Sequence, residues 1–462
     1  MRIYTMQTEL SANDIATICL RHEQALGRVL RLKRYYKGEH DILRKEQRAN
    51  NAPNNKIVSN YCSYIADMST GFFMGKPVAY SSITENEDEV DALQEVFKYN
   101  DESAHNLELA SEASVTGEAY EMLYMDEDAQ IRFCFVPSEE VILVCNASLE
   151  EEILYAIRHY RVYHLDGVTY DEFVDVYDKH DVTNYSYQSG SIRQTGGPTP
   201  HFFDDVPFVE YANNKIHRGD FEDVMSLVDA YDKAQSLTLD DMEDFTDAYL
   251  VLKGVGGTNE DDIKALRRNK VLTFDEGGGA EWLIKNLNDT YIENIKTRLQ
   301  KDIHKFSSVP DMSDESFAGN VSGIAIKYKL IGLEQIRSHK ERWFKKGLQR
   351  RIELIGGMLK LKSVADIDFR DIEITFTANI PANNTEQAQI VKELYGLVSQ
   401  KRLLSLLPFV TDPAEELDEL RKEQAEHGYE DLGTEAEGNR GVLGTAQSGA
   451  GSRVAQEVPA GD

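Results

Sequence analysis

The chain runs to 462 residues and 52.3 kDa, 41% hydrophobic and 28% charged, enough to bury cores in two to four domains. Its net charge of −30 argues against a protein that grips nucleic acid, which needs a basic excess. No run reaches the about eighteen apolar residues of a membrane span, and the N-terminus has no apolar signal core.

Four scattered cysteines, Cys19, Cys62, Cys134 and Cys145, form no CxxC pair. They read as reduced, buried thiols rather than a zinc or redox site.

Ser11 to Lys37 is helical in pattern. Ser11 or Asn13 serves as N-cap, Ile15, Ile18, Leu26, Val29 and Leu30 form the apolar stripe, and Gly38 closes it. A polar loop broken by Pro53 leads to a second predicted helix, Ile57 to Phe73, and a short strand, Val78 to Tyr80. Gly71 to Lys76 imitates a phosphate loop but is one residue short, and Pro77 stands where Ser or Thr would hold magnesium. It reads as a helix end.

Asp88 to Glu118 carries one or two helices. Short strands follow at 119–125, 130–136 and 141–144, then at 154–165, 172–177 and 185–187. Asp166-Gly167 is a hairpin turn. Gly190 to Pro200 reads as a loop, and Val206 to Tyr211 as a last strand. His159 and His164, five apart on a strand, point to opposite faces and cannot share a metal. No metal site is expected.

Asp220 to Asp247 is an acidic helix, and Asp220 to Asp262 holds thirteen acids against two lysines. A small module follows: strand 248–253, helix 260–268 and strand 270–274, bracketed by glycines at 254–257 and 277–279. Asp289 to Phe306 is another helix. Ser307 to Gly323 is a loop of serines and glycines in which Pro310 bars helix. Ile324 to Lys360 is one predicted helix of 37 residues, roughly 55 Å long, with weak points at Gly332, Gly347 and Gly356-Gly357.

From Ile324 to Lys362 there are eleven Lys or Arg against three Glu. Such a helix should face something acidic, either elsewhere in the protein or outside it. Phe369 to Ala378 reads as a strand. Thr385 to Glu426 reads as helix interrupted near Pro408 and Pro413, and Gly433 to Asp462 as disordered and dispensable for folding.

Two blocks resemble tailed-bacteriophage portal proteins, specifically the branch from siphophages and prophages of Gram-positive hosts. One is Pro310-Asp311, Ser313-Asp314-Glu315, Phe317, Gly319-Asn320, Ser322-Gly323 and Ala325-Ile326-Lys327, similar to the family's tunnel loop and long helix. The other is Asn54 to Val58, Asn60-Tyr61, Ile65 and Gly71 to Val78. The order of segments fits from about Tyr35 to Gly428.

The resemblance implies an α+β subunit with a wing at 1–218, a stem helix at 219–247, a clip at 248–284 and a second stem helix at 285–306. A tunnel loop at 307–323, a long kinked wing helix at 324–362, a wing strand at 363–383, a helical crown at 384–428 and a disordered tail at 429–462 complete it. It implies a ring, typically of twelve copies, at one capsid vertex of the virion, assembled in the host cytoplasm, through which double-stranded DNA is packaged and ejected. Its partners would be the terminase large subunit, a head-completion or adaptor protein, and capsid and scaffolding proteins, with no membrane, no cofactor and no catalysis of its own.

By the same resemblance Asp311, Asp314, Glu315, Phe317 and Asn320 would face the DNA channel. Lys264, Arg267 and Arg268 would dock the terminase or adaptor. Subunit interfaces would join Lys345, Lys346, Arg350 and Arg351 to Asp240 and Asp244, since opposite charges in one chain suit head-to-tail contact. The alternatives are another oligomeric head protein, or a metal-dependent nuclease built on Asp240, Asp241, Glu243, Asp244 and Asp247. On a helix, however, those acids spread around the cylinder.

Overall fold

The computed structural model describes residues 1–47, 53–188, 190–245, 249–253, 279–283, 289–313, 323–379, 384–407, 410 and 413–427. It divides into two units, Met1–Pro381 and Ala382–Asp462.

The first unit opens with strand β1 (Arg2–Thr5), then helix α1 (Ala12–Tyr36). Ser11 and Asp14 form a reciprocal capping box at its start, and Gly38 turns the chain out at φ +79°. Helix α2 (Tyr61–Met74) begins four residues later than its sequence pattern predicts. Residues 55–59 are extended instead, because their N–H groups are claimed by side chains described below.

Strand β2 (Ala79–Ser82) precedes α3 (Glu87–Tyr99) and α4 (Glu102–Thr116). Helix α4 stops at Gly117, φ +95°, where a Cβ would lie 2.2 Å from the His217 carbonyl oxygen. Only glycine fits there.

Nine strands follow: β3 (Glu118–Met125), β4 (Ile131–Val136), β5 (Val141–Asn146), β6 (Ile153–Tyr163), β7 (Tyr170–Tyr177), β8 (Asp181–Gln188), β9 (Ser191–Gln194), β10 (Thr199–Pro200) and β11 (Phe208–Ala212). The predicted loop at 190–200 thus contains two short strands. β1, β5, β6, β7, β8 and β10 lie in that order in a seven-stranded sheet, with β9 also on β8. All its pairs are antiparallel except β1 with β5. A second sheet has the order β11-β3-β4.

Helix α5 (Met225–Phe245), strands β12 (Tyr249–Lys253) and β13 (Gly279–Leu283), and helix α6 (Asp289–Ser307) come next. β12 pairs with β13, Tyr249 opposite Leu283. The partner strand therefore starts in the glycine run read from sequence as a bracket, and the predicted helix at 260–268 and strand at 270–274 lie outside the described residues.

The predicted 37-residue helix is two: α7 (Gly323–Lys329) and α8 (Ile331–Leu361). The break is at Leu330, φ −87° and ψ 0°, not within the glycines further on. Four glycines cost α8 about 1 kcal/mol each in propensity. Burying Leu333, Phe344, Leu348, Ile352, Ile355, Met358 and Leu359 returns about 1.5–3 kcal/mol each, so packing wins. The glycines serve approach: a Cβ on Gly347 would stand 2.5 Å from the Tyr211 ring, so its absence lets α8 lie on β11.

Strand β14 (Ile372–Thr375) pairs with β2. One core gathers α3, α4, β2, β3, β4, β14 and α8. Another joins α1, α2, α5 and α6 through Leu32, Tyr35, Ile65, Val228 and Ile303. A third seats α1 on the large sheet. The second unit contains α9 (Asn384–Leu394), α10 (Gln400–Leu404) and α11 (Pro413–His427), with Pro413 at a helix start, where its missing N–H costs nothing.

Candidate functional site

Helix α6 ends at Ser307, and the following turn is tied down before the loop proper begins. Ser308 takes a left-handed φ of +57°. Val309 is fully buried. The Tyr64 hydroxyl donates to the Pro310 carbonyl at 2.9 Å and accepts the Met312 N–H at 3.0 Å. Asp311 accepts from Gln300 at 3.0 Å and from the Ser313 N–H and hydroxyl. Burial would raise its carboxyl; Ser313, His304 and Gln300 outweigh that and hold it low. A cavity of about 300 Å³ lies here, lined by Ser59, Asn60, Tyr61, Tyr64, His304 and Asp311 among others.

Asp311 is thus a half-buried anchor of the loop's base. Its carboxylate is engaged by the Gln300 amide and by Ser313. Tyr64, Gln300 and His304 do the holding; the last two are near neighbours on α6, while no sequence spacing linked Tyr64 to a loop 246 residues away. Asp314, Glu315, Phe317 and Asn320 lie outside the described residues, as do Lys264, Arg267 and Arg268.

The acidic helix meets its counter-charges inside the same chain. Asp229, Ser236, Asp232 and Asp240 form one stripe on α5, spaced three to four residues apart, as neighbours on a helix face must be. Asp229 accepts from the Tyr35 hydroxyl at 2.6 Å. Asp232 bonds His40 Nδ1 at 2.6 Å and the Ser59 N–H at 2.7 Å. Ser236 accepts the Ile57 N–H. Asp240 takes the Asn55 N–H at 2.6 Å, the Asn55 amide at 3.0 Å and Lys45 at 2.7 Å. The 55–59 segment is strung along α5 by this ladder. Its sequence signal was the three-to-four spacing of the polar residues.

Several cations of the basic helix are paired in the same way. Lys340 pairs with Asp220, Arg337 with Glu334 and Glu341, and Arg350 with Asp205 and Glu353, both at 2.7 Å. Lys345 reaches the Ile374 carbonyl. Arg351 is fully buried among Glu121, Glu102 and Asn106. Two expected interface residues are therefore corrected: Arg351 and Asp240 point into their own protomer and are already paired. Lys346 is exposed, its ammonium 4.1 Å from the Trp343 ring. Asp244 lies on α5, its side chain outside the described residues.

Asp240 is buried and paired to Lys45, so the acidic cluster imagined for a nuclease loses its first member. Among the described residues, two groups of acidic and imidazole side chains do converge within 4.8 Å: Glu118, Glu210 and His217, and Glu23, His159 and Glu172. In the first, Arg2 binds Glu210 and already supplies a cation. His159 and His164 part company as their spacing required, the former buried, the latter exposed beside Asp171. No helix among the described residues is long and apolar enough to cross a membrane.

The chain is 26% identical over 422 residues to the portal protein of Bacillus phage SPP1, covering 85% of this chain and 83% of that one. It is 27% identical over 429 residues to the portal protein of Clostridium phage phiCD119, covering 86% and 92%. A solved neck of an empty GTA particle, computed with C6 symmetry, aligns at 11% identity and a TM-score of 0.43 over 82% of this chain and 93% of that one. The family described as phage portal protein, SPP1 Gp6-like, matches residues 16–428: the chain belongs to that family of portal proteins.

Proposed function

We propose that this chain is the subunit of a closed ring, of twelve copies in the capsid, set at one vertex as a conduit for double-stranded DNA. The family match over residues 16–428 carries this reading. The protein's role is structural, and the energy for DNA movement comes from a separate terminase ATPase. The wing, stem, clip, tunnel-loop and crown divisions given above belong to this proposal, as do the virion location, host-cytoplasm assembly, and the adaptor, capsid and scaffolding partners. The pinned base of the 307–323 loop supports it physically. Tyr64, Gln300 and His304 fix the loop's first residues against the end of α6, and a channel constriction needs a fixed base. Most helix connections in compact domains run to about two to eight residues, and longer ones tend to carry function.

Asp314 and Glu315 keep that loop acidic. An acidic wall repels phosphates and adds no affinity through counterion release. Ring formation is read by negative-stain microscopy of the purified protein, where rings with a central hole are expected and monomers would overturn the proposal. Exchanging Asp314 and Glu315 for lysine should leave rings intact and slow or stall packaging, scored as nuclease-protected DNA in procapsids. Wild-type yield and rate would remove the loop from the channel.

The module around β12 and β13 is proposed to dock the terminase. Replacing Lys264, Arg267 and Arg268 by alanine should preserve rings and reduce terminase capture in a pull-down; unchanged capture would reject the assignment. Of the basic residues proposed for subunit contact, Lys346 is the one left exposed, and charge reversal there is the direct probe of that surface.

A further inference from the structure

Helix α1 lies on the large sheet with Ile15, Ile18 and Cys19 against Ile142, Val144, Ile157 and Val174. One turn further along α1 this apolar seam becomes polar. His22 follows on the same buried face, with Glu23 beside it. Across from them stand His159 on β6, Glu172 on β7 and Tyr187 on β8. β6 and β7 are paired with His159 opposite Val174 and Arg161 opposite Glu172, so His159 and Glu172 are diagonal neighbours on one face.

Hydrogen bonding among the polar atoms here is incomplete. His159 Nε2 is buried and lies 3.4 Å from Glu172 Oε1 without making a hydrogen bond. The His22 Nδ1 and the Tyr187 hydroxyl are buried without a partner as well. All three residues are more than nine-tenths buried. The His22 and His159 rings are 5.8 Å apart, and Tyr187 meets His159 edge-on at 4.8 Å. Buried polar atoms are nearly always bonded, so three orphans in one place ask for a missing partner. Arg161 donates to Glu172 Oε1 at 2.7 Å, but one guanidinium cannot offset two carboxylates and reaches neither imidazole nitrogen.

We propose that Glu23, His159 and Glu172 bind a divalent transition-metal ion of the zinc class. Their ligand atoms lie within 4.8 Å of one another, a span that an ion with bonds of about 2.0–2.2 Å to nitrogen and oxygen can bridge with small side-chain adjustment. One imidazole and two carboxylates make a nitrogen–oxygen set suited to zinc, manganese or cobalt rather than to magnesium, which keeps its waters. Two carboxylates balance the charge of the ion. A fourth position is open to water, which the His22 nitrogen or the Tyr187 hydroxyl can bind. The ion would fasten helix α1 to strands more than a hundred residues away, and so fix the helix whose Tyr35 also packs under α5.

The test uses the full chain, stripped with chelator and titrated with zinc by calorimetry, with cobalt as an absorbing substitute. One ion per chain and a metal-dependent rise in Tm are expected, since a ligand bound only by the native state stabilises it. Glu23→Gln, at a half-buried helical position, should fold normally and bind zinc at least ten-fold more weakly. His159→Phe should abolish the cobalt spectrum. His164→Ala, a surface control, should change nothing. Absence of stoichiometric zinc in the wild type, or equal affinity in Glu23→Gln, would overturn the proposal. If His159→Phe does not fold, the Glu23→Gln affinity decides alone.

Discussion

Replacing Arg351 by alanine is expected to destabilise the first unit by about 3–5 kcal/mol, the loss found when one partner of a buried ion pair is removed. Its guanidinium is fully buried and bonds Glu121 through Nε at 2.9 Å and Nη2 at 2.5 Å. Nη1 reaches Asn106 at 2.8 Å and Glu102 at 3.3 Å. His105 adds a bond to Glu121 at 2.8 Å, and the Phe133 ring centre is 4.7 Å from the guanidinium carbon. Alanine would leave two carboxylates facing a cavity. For a unit of this length the unfolding entropy is large, so the loss reads as a fall in Tm of about 5 °C. Arg351→Met combined with Glu121→Gln should lose less than Arg351→Met alone, because one buried carboxylate, Glu102, is left without its cation rather than two. A Tm unchanged by Arg351→Ala would mean that the cluster is not buried as described.

The same cluster sets an acid limit. Burial alone would raise the Glu121 carboxyl, but Arg351 and His105 outweigh it and hold it below its ordinary 4.5. A carboxylate with a depressed native pKa stabilises the fold above its unfolded value. That contribution is lost as pH falls from about 4.5 through the lowered value. Arg351→Ala should flatten this acid dependence, measured as Tm against pH.

Asp232→Ala is expected to cost about 3–5 kcal/mol by the same mechanism. The carboxylate and His40 are both fully buried, 2.6 Å apart. The side chain also holds the Ser59 N–H, so the 55–59 segment would lose its middle rung on α5. Here the pH dependence has the opposite sign. Burial would lower the His40 pKa, but Asp232 outweighs it and raises the value above the usual 6.5. The pair's stabilisation is complete below about 6.5 and is lost as pH climbs through the raised value. In Asp232→Ala the decline of Tm on the alkaline side should vanish. If the variant unfolds with wild-type Tm and pH profile, the ladder from α5 to residues 55–59 is not a stabilising element.

Periodicity and punctuation carried much of this protein. The capping box at Ser11, the turn at Asp166-Gly167 and the short strand runs of β3 to β7, separated by turn residues, depend on residues within a few positions of each other, so the sequence determined them by itself. The family resemblance was legible for a related reason, since the Pro310 to Lys327 block and the Asn54 to Val78 block are each local.

Where charges end up was not legible. Composition shows an acidic segment and a basic helix, and invites a contact between copies. The structure pairs many of those charges within one chain, α5 against α1 and residues 40–59, and α8 against Asp205, Glu121 and Asp220. Coulomb attraction in a buried, low-dielectric site far exceeds that at a wet surface, and which residues become buried depends on packing between elements distant in sequence. For the same reason Arg351 looked like one cation in a basic run, while the packing of β3, α4 and α8 made it the centre of a core. Glu23, His159 and Glu172 are more than a hundred residues apart at the extremes. Only the seating of α1 on the large sheet brings them within reach of a single ion.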